Sequence, residues 1–299
     1  MTMITERLQD PHAFSTCEAI QQEITGTVRI PTSIMVDIER SGGLIIGARE
    51  NEAEGYTLAG ALIDLVGESQ GCRSWFTLFH GVRKELQNQG IGHHLRLRER
   101  MEGKRQGIAL VTWAIDPLES KLPHLAFNKL AAIAASYKRN LYGEATAPDH
   151  RDLATRSLAM HGLATRSLAS DRLIVEWWLD SPRVSGVINR RRLPHHFHLG
   201  LDKMEVVTKT RLVKNGIRRL AGYEETPKGK VILVEIPADL DRLCDEDLDL
   251  ARDWRLKTRD LFERLLTNGY TMTGFVHEAG RSFHLLERAD RKTILERSN

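Results

Sequence analysis

The segment WFTLFHGVRKELQNQGIG, residues Trp75 to Gly92, holds the elements from which the fold class follows. Its first part, Trp75–Val82, is rich in aromatic residues and predicts a β-strand. Gly81 interrupts this strand and predicts a bulge or a close backbone approach. No helix-breaking residue occurs between Gly92 and Gly103, which predicts a helix. The apolar residues of this helix are expected to share one face: Ile91, Leu95, Leu97 and Met101.

Strands on both sides of this segment predict a mixed sheet. The apolar runs Gly43–Arg49 and Tyr56–Val66 are joined by the polar turn Glu50–Gly55, which predicts an antiparallel hairpin. After the helix, Ile108–Trp113 returns as a buried strand, and a strand–helix–strand order implies a parallel crossover. An amphipathic helix over Phe14–Ile24 precedes the hairpin. We therefore predict an α/β fold, a mixed sheet with flanking helices.

The rest of the chain predicts a second set of elements. We expect them at these positions: a helix over His124–Tyr137, strands over Leu173–Leu179, near Glu205–Thr208 and over Val231–Ile236, a helix over Asp245–Leu266, and a hairpin of Tyr270–His277 and Ser282–Leu286. Residues 1–183 are predicted to form the first domain, and residues 184–299 a smaller C-terminal α/β extension packed on it. Trp177 and Trp178 point to opposite faces of their strand, so at least one of them should be buried. The LATRSLA repeat at 153–159 and 163–169 is interpreted as a duplicated loop.

Composition narrows the class of protein but names no partner. The 299 residues are 41% hydrophobic and 28% charged, and the net charge is only +3, so no electrostatic case for nucleic acid or membrane binding follows. The three cysteines, Cys17, Cys72 and Cys244, form no Cys-x-x-Cys pair and argue against a disulfide framework or a zinc knuckle. The N-terminus lacks a secretory pattern, and no stretch reaches the roughly 18 apolar residues of a spanning helix. We expect a cytoplasmic protein.

The glycine-spaced turn before the helix is the main candidate binding site. A strand-to-helix turn offers unpaired backbone N–H groups at the positive end of the helix dipole, which suits a phosphate. A Walker loop would require Gly-Lys-Ser/Thr, but Gly92 is followed by His93 and His94. A dinucleotide-binding fingerprint would require a third glycine where Leu95 stands. Both nucleotide-binding motifs are therefore excluded.

The turn instead resembles the Gln/Arg-x-x-Gly-x-Gly/Ala motif of the GNAT acyltransferase superfamily, which Gln87, Gly90 and Gly92 match. The order of predicted elements up to Leu179 is also that of the family. Within the chain, several segments look like those of a group of bacterial predicted N-acyltransferases: Thr112–Glu119, Leu173–Leu179, Ala251–Arg255 and Phe283–Arg288. The resemblance therefore covers most of the chain.

This resemblance implies acetyl-CoA or another acyl-CoA as co-substrate and no metal. Pantetheine would pair as an extra strand along Phe79–Val82, and a backbone N–H near Gly81 would hold the thioester carbonyl in an oxyanion hole. An amine would then attack the thioester, which requires a base for the amine proton and an acid for the departing thiolate. The residues expected at the cofactor are Phe79, Gly81, Val82, Gln87, Asn88, Gln89, Gly90, Ile91, Gly92, His93 and Phe127.

The catalytic residues depart from the family pattern. Phe127 stands where the thiolate-protonating tyrosine usually lies, and Ser120 stands where an asparagine usually lies. Tyr137, Tyr142 or solvent are the alternative acids, although both tyrosines are equally explained as packing residues. The candidate bases are His80, which lies beside the expected acyl site, and Asp116, which follows a central strand. Each is also explained as a core or turn residue.

Three kinds of function stay open. The first is an acyl-CoA-dependent N-acyltransferase for a small-molecule amine such as an amino acid, without nucleic acid or membrane partners and with a homodimer left open. The second is a non-catalytic acyl-CoA-binding or assembly module. The third is a nucleic-acid-binding protein that uses Arg190–Arg192 or the basic stripe Arg96, Arg98, Arg100, Lys104 and Arg105. The same residues could touch the 3′-phosphate of CoA, but an exposed charged helix face is favoured for all except one or two residues in the first turns after Gly92. His195–His198 lacks the carboxylate or cysteine that would complete a metal site, which favours a solvated loop.

Overall fold

The computed structural model describes residues 3–26, 28–50, 58–143, 168–190, 204–213 and 216–297. They form two compact units that divide at Trp113, inside a strand. The predicted domain boundary between residues 183 and 184 differs from this division and stays a prediction. Four sequence features lie wholly or largely outside the described residues: the turn 50–55, the LATRSLA repeat, the segment 190–192 and the histidine cluster 195–198.

The first unit is a mixed sheet with helices. Its elements are β1 (Met3–Arg7), α1 (Pro11–Thr25), α2 (Thr32–Arg40), β2 (Leu44–Glu50), β3 (Gly60–Ser69), β4 (Cys72–Val82), α3 (Ile91–Arg105) and β5 (Leu110–Ile115), whose last two residues belong to the second unit. Strands β1 to β4 pair antiparallel in chain order, and β5 joins β4 in parallel. The predicted α/β class with a mixed sheet is confirmed, as are the predicted antiparallel pair and the parallel crossover.

The helices of this unit cover opposite faces of the sheet. Helix α1 begins at Asp10, whose side chain accepts a hydrogen bond from the Ala13 amide, and it ends at Gly26 with a left-handed φ of 72°. Its apolar residues pack with Ile63 of β3 in one core cluster. The neighbouring Asp64 points to the other face, as alternation along a strand requires, and there it faces α3.

Strand β4 carries the predicted bulge at a different residue. Ile63 of β3 pairs with Phe79, and Asp64 pairs with Thr77, so Leu78 is the extra residue. Gly81 pairs in register with Ala61. At Gly81 it is side chains that approach closely, where the sequence predicted a close approach of the backbone. A Cβ at Gly81 would lie 2.7 Å from the Phe79 ring and 2.9 Å from Ile24. The glycine therefore serves packing and does not form the bulge.

The second unit contains a six-stranded mixed sheet and four helices among its described residues. Its elements are β6 (Ile133–Lys138), β7 (Arg172–Trp178), α4 (Pro182–Arg190), β8 (Glu205–Val206), β9 (Thr208–Leu212), β10 (Arg218–Tyr223), β11 (Val231–Ile236), α5 (Leu240–Glu246), α6 (Leu248–Thr267), β12 (Tyr270–Glu278), β13 (Arg281–Arg288) and α7 (Arg291–Glu296). The strand order is β7-β6-β12-β13-β11-β8, antiparallel except for β11 and β8, and β9 and β10 form a separate hairpin. Trp177 is fully buried and Trp178 only partly, as the alternation predicts.

The predicted helix over His124–Tyr137 is wrong beyond its first turn. A single π-helical turn spans His124–Lys129, Ala131 adopts a left-handed φ of 55°, and the chain continues as strand β6. The run Leu130–Ala134 is completely buried, and a short buried run has the same apolar pattern in a strand as in a helix. Pairing with β7 and β12 makes it a strand.

The predicted C-terminal elements are largely confirmed, with one interruption. The helix expected over Asp245–Leu266 is divided at Asp247, whose φ of −156° ends α5 and whose side chain accepts a hydrogen bond from the Leu250 amide to start α6. The final hairpin of β12 and β13 matches the prediction. Within the described ranges, no helix is both long and apolar enough to cross a membrane.

Candidate functional site

The turn between β4 and α3 lies at the surface of the first unit. A 3₁₀ turn over Lys84–Leu86 leads into an exposed run, Gln87–Gly90. Two left-handed residues shape this run, Asn88 with a φ of 62° and Gly90 with a φ of 85°. Asparagine and glycine are the residues that tolerate this conformation best. The sequence is therefore locally suited to the sharp entry into α3.

The first turn of α3 presents backbone donors that lack an acceptor among the described residues. Gly90 is the N-cap residue and supplies no capping side chain, and the turn contains no acidic residue. Gly90 accepts a hydrogen bond from the His94 amide. Within the described part of the chain, the amides of Gly90, Ile91 and Gly92 donate to no protein acceptor. Such amides at a helix N-terminus attract an anion.

The side chains of the turn support its own backbone. Gln87 Nε2 donates to the Val82 carbonyl over 3.1 Å, and Gln89 Nε2 donates to the Glu85 carbonyl over 3.4 Å. Because these amide groups are directed into the loop, a ligand would meet the main chain of this segment. Ile91 is buried and anchors the helix start, whereas His93 is partly exposed.

The end of β4 adds an unpaired sheet edge beside the turn. Its parallel pairing with β5 covers only Ser74–Phe76. Beyond Phe76, the described residues provide no partner strand on that side, while β3 pairs the other side as far as Val82. An extended ligand can pair with such an edge. Phe79 is buried in the core and fixes the strand that presents this edge.

His80 joins the strand to the helix. Its Nε2 lies 3.1 Å from the Gly92 carbonyl oxygen, which can only accept a hydrogen bond. Burial, together with the positive charge of Arg96, lowers the pKa of His80 to about 3. The imidazole is therefore neutral at pH 7 and a weak proton acceptor. The contact with Gly92 occupies Nε2 and leaves Nδ1 as the ring nitrogen that can accept a proton, so His80 as the general base stays a prediction.

A buried ion pair that sequence reasoning missed lies under the helix. Arg96 Nη1 lies 2.9 Å from both carboxylate oxygens of Glu99 and 2.8 Å from the Thr77 hydroxyl. The Arg96 guanidinium also stacks on the Trp113 ring at 4.1 Å. Both members of the pair are almost completely buried, so the exposed basic face predicted for this helix is wrong at Arg96. Conversely, Met101, predicted on the apolar face, is 37% exposed.

Asp64 completes this buried cluster as a second carboxyl group. It is fully buried, and neither of its oxygens has a hydrogen-bond partner among the described residues. Burial and the nearby charge of Glu99 raise the pKa of Asp64 well above its ordinary value, although Arg96 opposes this. Arg96 therefore lies beside two carboxyl groups, of which Asp64 is shifted towards its protonated form.

In the second unit, Asp116 is the centre of another buried ion cluster. Its Oδ2 accepts hydrogen bonds from Arg255 at 2.5 Å and Arg172 at 3.4 Å, and its Oδ1 accepts from the Leu118 amide at 2.8 Å. Burial alone would raise the pKa of Asp116, but the charges of Arg255 and Arg172 lower it. These contacts occupy the carboxylate, so the prediction of Asp116 as a base is corrected to a structural ion-pair role.

The remaining predicted residues also lie in the second unit. The Tyr137 hydroxyl donates to Asp171 over 2.7 Å, and burial and the Asp171 charge raise the pKa of Tyr137, which leaves this tyrosine unsuited as an acid. Tyr142 is half-buried, with Arg172 stacked 5.3 Å from its ring centre. Phe127 is fully buried in an aromatic contact with His284. Among the described residues, no group of three or more His, Cys, Asp or Glu side chains is arranged to hold a metal ion.

Among known proteins, only solved structures are similar to this chain. No protein-family model matches the chain, and no curated protein matches it. The chain is similar to the ribosomal-protein-S18-alanine N-acetyltransferase from Escherichia coli, at 14% identity over 58% of this chain and 92% of that chain, with a TM-score of 0.42. It is also similar to an N-acetyltransferase from Staphylococcus aureus Mu50, at 14% identity over 60% of this chain and 100% of that chain, with a TM-score of 0.44.

A third similar structure contains CoA. It is a GNAT family N-acetyltransferase from Escherichia coli in complex with CoA, at 16% identity over 38% of this chain and 63% of that chain, with a TM-score of 0.33. Because these likenesses are distant, we base the function on the residues of the turn and the strand edge.

Proposed function

We propose that the chain is an acyl-CoA-dependent N-acyltransferase of the GNAT type, which transfers an acetyl or succinyl group to the amine of a small molecule such as an amino acid. One observation carries the proposal: the amides of Gly90, Ile91 and Gly92 at the start of α3 donate to no protein acceptor among the described residues, and they lie next to the edge of β4 that has no partner strand there. The first feature suits a diphosphate and the second an extended amide-containing chain, and CoA contains both.

The proposed reaction is a direct acyl transfer from the thioester to the amine. The amine nitrogen attacks the thioester carbonyl, a carbon–nitrogen bond forms, and the carbon–sulfur bond breaks. The amine loses one proton to a base, and the CoA thiolate gains one. Unpaired N–H groups along the β4 edge would stabilise the oxyanion. Solvent can supply the proton to the thiolate. Tyr142 stays an expectation from the sequence, whereas Tyr137 already donates its hydroxyl hydrogen to Asp171.

Two glycine-to-valine variants, one in the turn and one control, test CoA binding. Gly90 and Gly107 lie near opposite ends of α3, both have positive φ, and a Cβ at either meets no protein atom within 4 Å. Gly90→Val and Gly107→Val therefore introduce a similar backbone strain, but only the first places a side chain over the turn. We expect Gly90→Val to weaken CoA binding by at least about tenfold.

Isothermal titration calorimetry with CoA measures this difference. Gly107→Val should keep the affinity of the unmodified chain within about twofold, because its side chain lies near the opposite end of α3 from the turn. Equal affinities for the unmodified chain and Gly90→Val would remove the turn from the CoA site and with it the proposed function.

A non-catalytic acyl-CoA-binding module is the second candidate. The observation in its favour is that Asp116 and Tyr137, two of the residues expected to act as base and acid, are held in buried ion pairs and hydrogen bonds. Release of free thiol from acetyl-CoA and succinyl-CoA across a panel of amines separates the two candidates. Turnover with any amine supports the enzyme, whereas CoA binding without turnover supports the module.

A further inference from the structure

We infer that His80 is a positioning residue, whose Nε2–H donates to the Gly92 carbonyl and fixes the pyrophosphate turn against the strand edge. The inference rests on the proposed function, because it concerns how the two halves of the acyl-CoA site are kept in register. It assigns His80 no proton transfer and no contact with the reacting atoms.

The first step is the geometry of the link. The imidazole Nε2 lies 3.1 Å from Gly92 O, and a Cβ on Gly92 would lie 3.4 Å from the same nitrogen. The ring therefore rests directly against the first helical turn. His80 belongs to β4, whose last residues form the unpaired edge, whereas Gly92 belongs to the turn that presents the unpaired amides. One side-chain hydrogen bond connects the two features.

The second step concerns the other side-chain hydrogen bonds of the loop, since the helix start itself is already packed through buried Ile91. The chain from Lys84 to Gly90 is mostly exposed and includes two residues with positive φ. The described side-chain hydrogen bonds inside it, from Gln87 to Val82 and from Gln89 to Glu85, join loop residues to the loop or its entry. They do not tie the loop to the helix. A donor that reaches from the strand to the helix start would therefore restrict how far the turn can shift.

The third step is the protonation state of the ring. A carbonyl oxygen only accepts, so a bond to Gly92 O requires hydrogen on Nε2 and leaves Nδ1 as the lone-pair nitrogen of the neutral ring. The charged group that faces the ring is Arg96 of α3, and its positive charge disfavours an imidazolium. His80 therefore stays a neutral donor from pH 5 to 8, and the link does not change over that range.

The experiment compares three variants by CoA calorimetry and by the rate of thiol release at saturating acyl-CoA. His80→Leu removes the donor, and we expect it to weaken CoA binding roughly three- to tenfold, as loss of one hydrogen bond predicts. The saturated rate should stay within about twofold of the unmodified chain, as expected when only uniform binding is lost. His80→Gln keeps an N–H donor and should restore the affinity to within about twofold. His94→Leu, an exposed neighbour on α3, is the control and should leave both quantities unchanged.

Two results would overturn the inference. One is an unchanged CoA affinity in His80→Leu. The other is a loss of the saturated rate in both His80→Leu and His80→Gln, whatever their affinities, which identifies a general base.

A measurement without CoA separates this inference from the proposed function. Nitrogen-15 NMR of the imidazole should show hydrogen on Nε2 of His80 throughout pH 5 to 8, and a ring that titrates in this range would contradict the link. If the unmodified chain fails to bind CoA while His80 shows this tautomer, the proposed function fails and the hydrogen bond stands.

Discussion

Replacing Glu99 with glutamine is expected to lower the free energy of unfolding by about 3–5 kcal/mol, the cost of leaving one member of a buried ion pair without its partner. Arg96 and Glu99 are joined by two contacts of 2.9 Å, and their side chains are 3% and 0% exposed. A glutamine keeps the shape and removes the charge that Arg96 contacts. Ionisation of Asp64 would replace that charge only in part, because neither Asp64 oxygen has a hydrogen-bond partner among the described residues.

Replacing the Asp64 carboxyl group with an amide, in Asp64→Asn, is expected to raise the free energy of unfolding at neutral pH, opposite to the effect of Glu99→Gln. Its raised pKa means that the folded chain binds a proton there that the unfolded chain releases above pH about 4. Protonated Asp64 makes its full contribution to the free energy of unfolding below pH about 4, and this contribution is lost as the pH rises towards the folded pKa. Asparagine imitates the protonated form and does not titrate. Between pH 4 and the folded pKa, the free energy of unfolding of Asp64→Asn should therefore rise relative to that of the unmodified chain by about 1.4 kcal/mol for each pH unit.

Urea denaturation between pH 4 and pH 8 measures both effects. Glu68→Gln, an exposed position on the same strand as Asp64, serves as the control and should change stability by less than about 0.5 kcal/mol. If Asp64→Asn destabilised the chain at pH 7 as much as Glu99→Gln does, Asp64 would be ionised, and the assigned charges of the cluster would be wrong.

Replacing Asp116 with asparagine is the second large effect, expected at about 3–5 kcal/mol of lost stability at pH 7. The change would leave Arg255 and Arg172, both 1% exposed, without the carboxylate that they share. Because the pKa of Asp116 is lowered in the folded chain, its contribution is present above the unfolded value of about 4 and is lost as the pH falls through the folded value. The difference between the two chains should therefore narrow in acid.

Scanning calorimetry of the unmodified chain, Asp116→Asn and Asp249→Asn tests this expectation. Asp249 pairs with Arg252 at the surface with its side chain 90% exposed, and its loss should cost less than about 1 kcal/mol. Equal melting temperatures for Asp116→Asn and the unmodified chain would contradict the structural role of Asp116. A full thiol-release rate in Asp116→Asn would separately confirm that Asp116 is not the base.

Local sequence was sufficient for the strand, turn and helix of the candidate site. The apolar strand before Gly81, the glycines at 90 and 92 and the absence of a helix breaker before Gly103 predict β4, the turn and α3, all of which are present. Local sequence was insufficient for His124–Tyr137, because the same apolar run fits a helix or a buried strand. It also missed β1 and α2, which are short elements of five and nine residues.

The chain alone specified those features that depend on neighbours in sequence: the alternation of strands, the amphipathic helices and the left-handed turn at Gly90. These follow from backbone sterics and periodicity, which act over a few residues. Long-range packing specified the roles of the charged residues. Arg96, Glu99 and Asp64 look like ordinary polar residues in the sequence, and Asp116 looks like a turn residue or a base. Their charges and partners depend on which side chains exclude water around them. Residues distant in sequence assemble that environment, as Asp116 and Arg255 do at a separation of 139 positions.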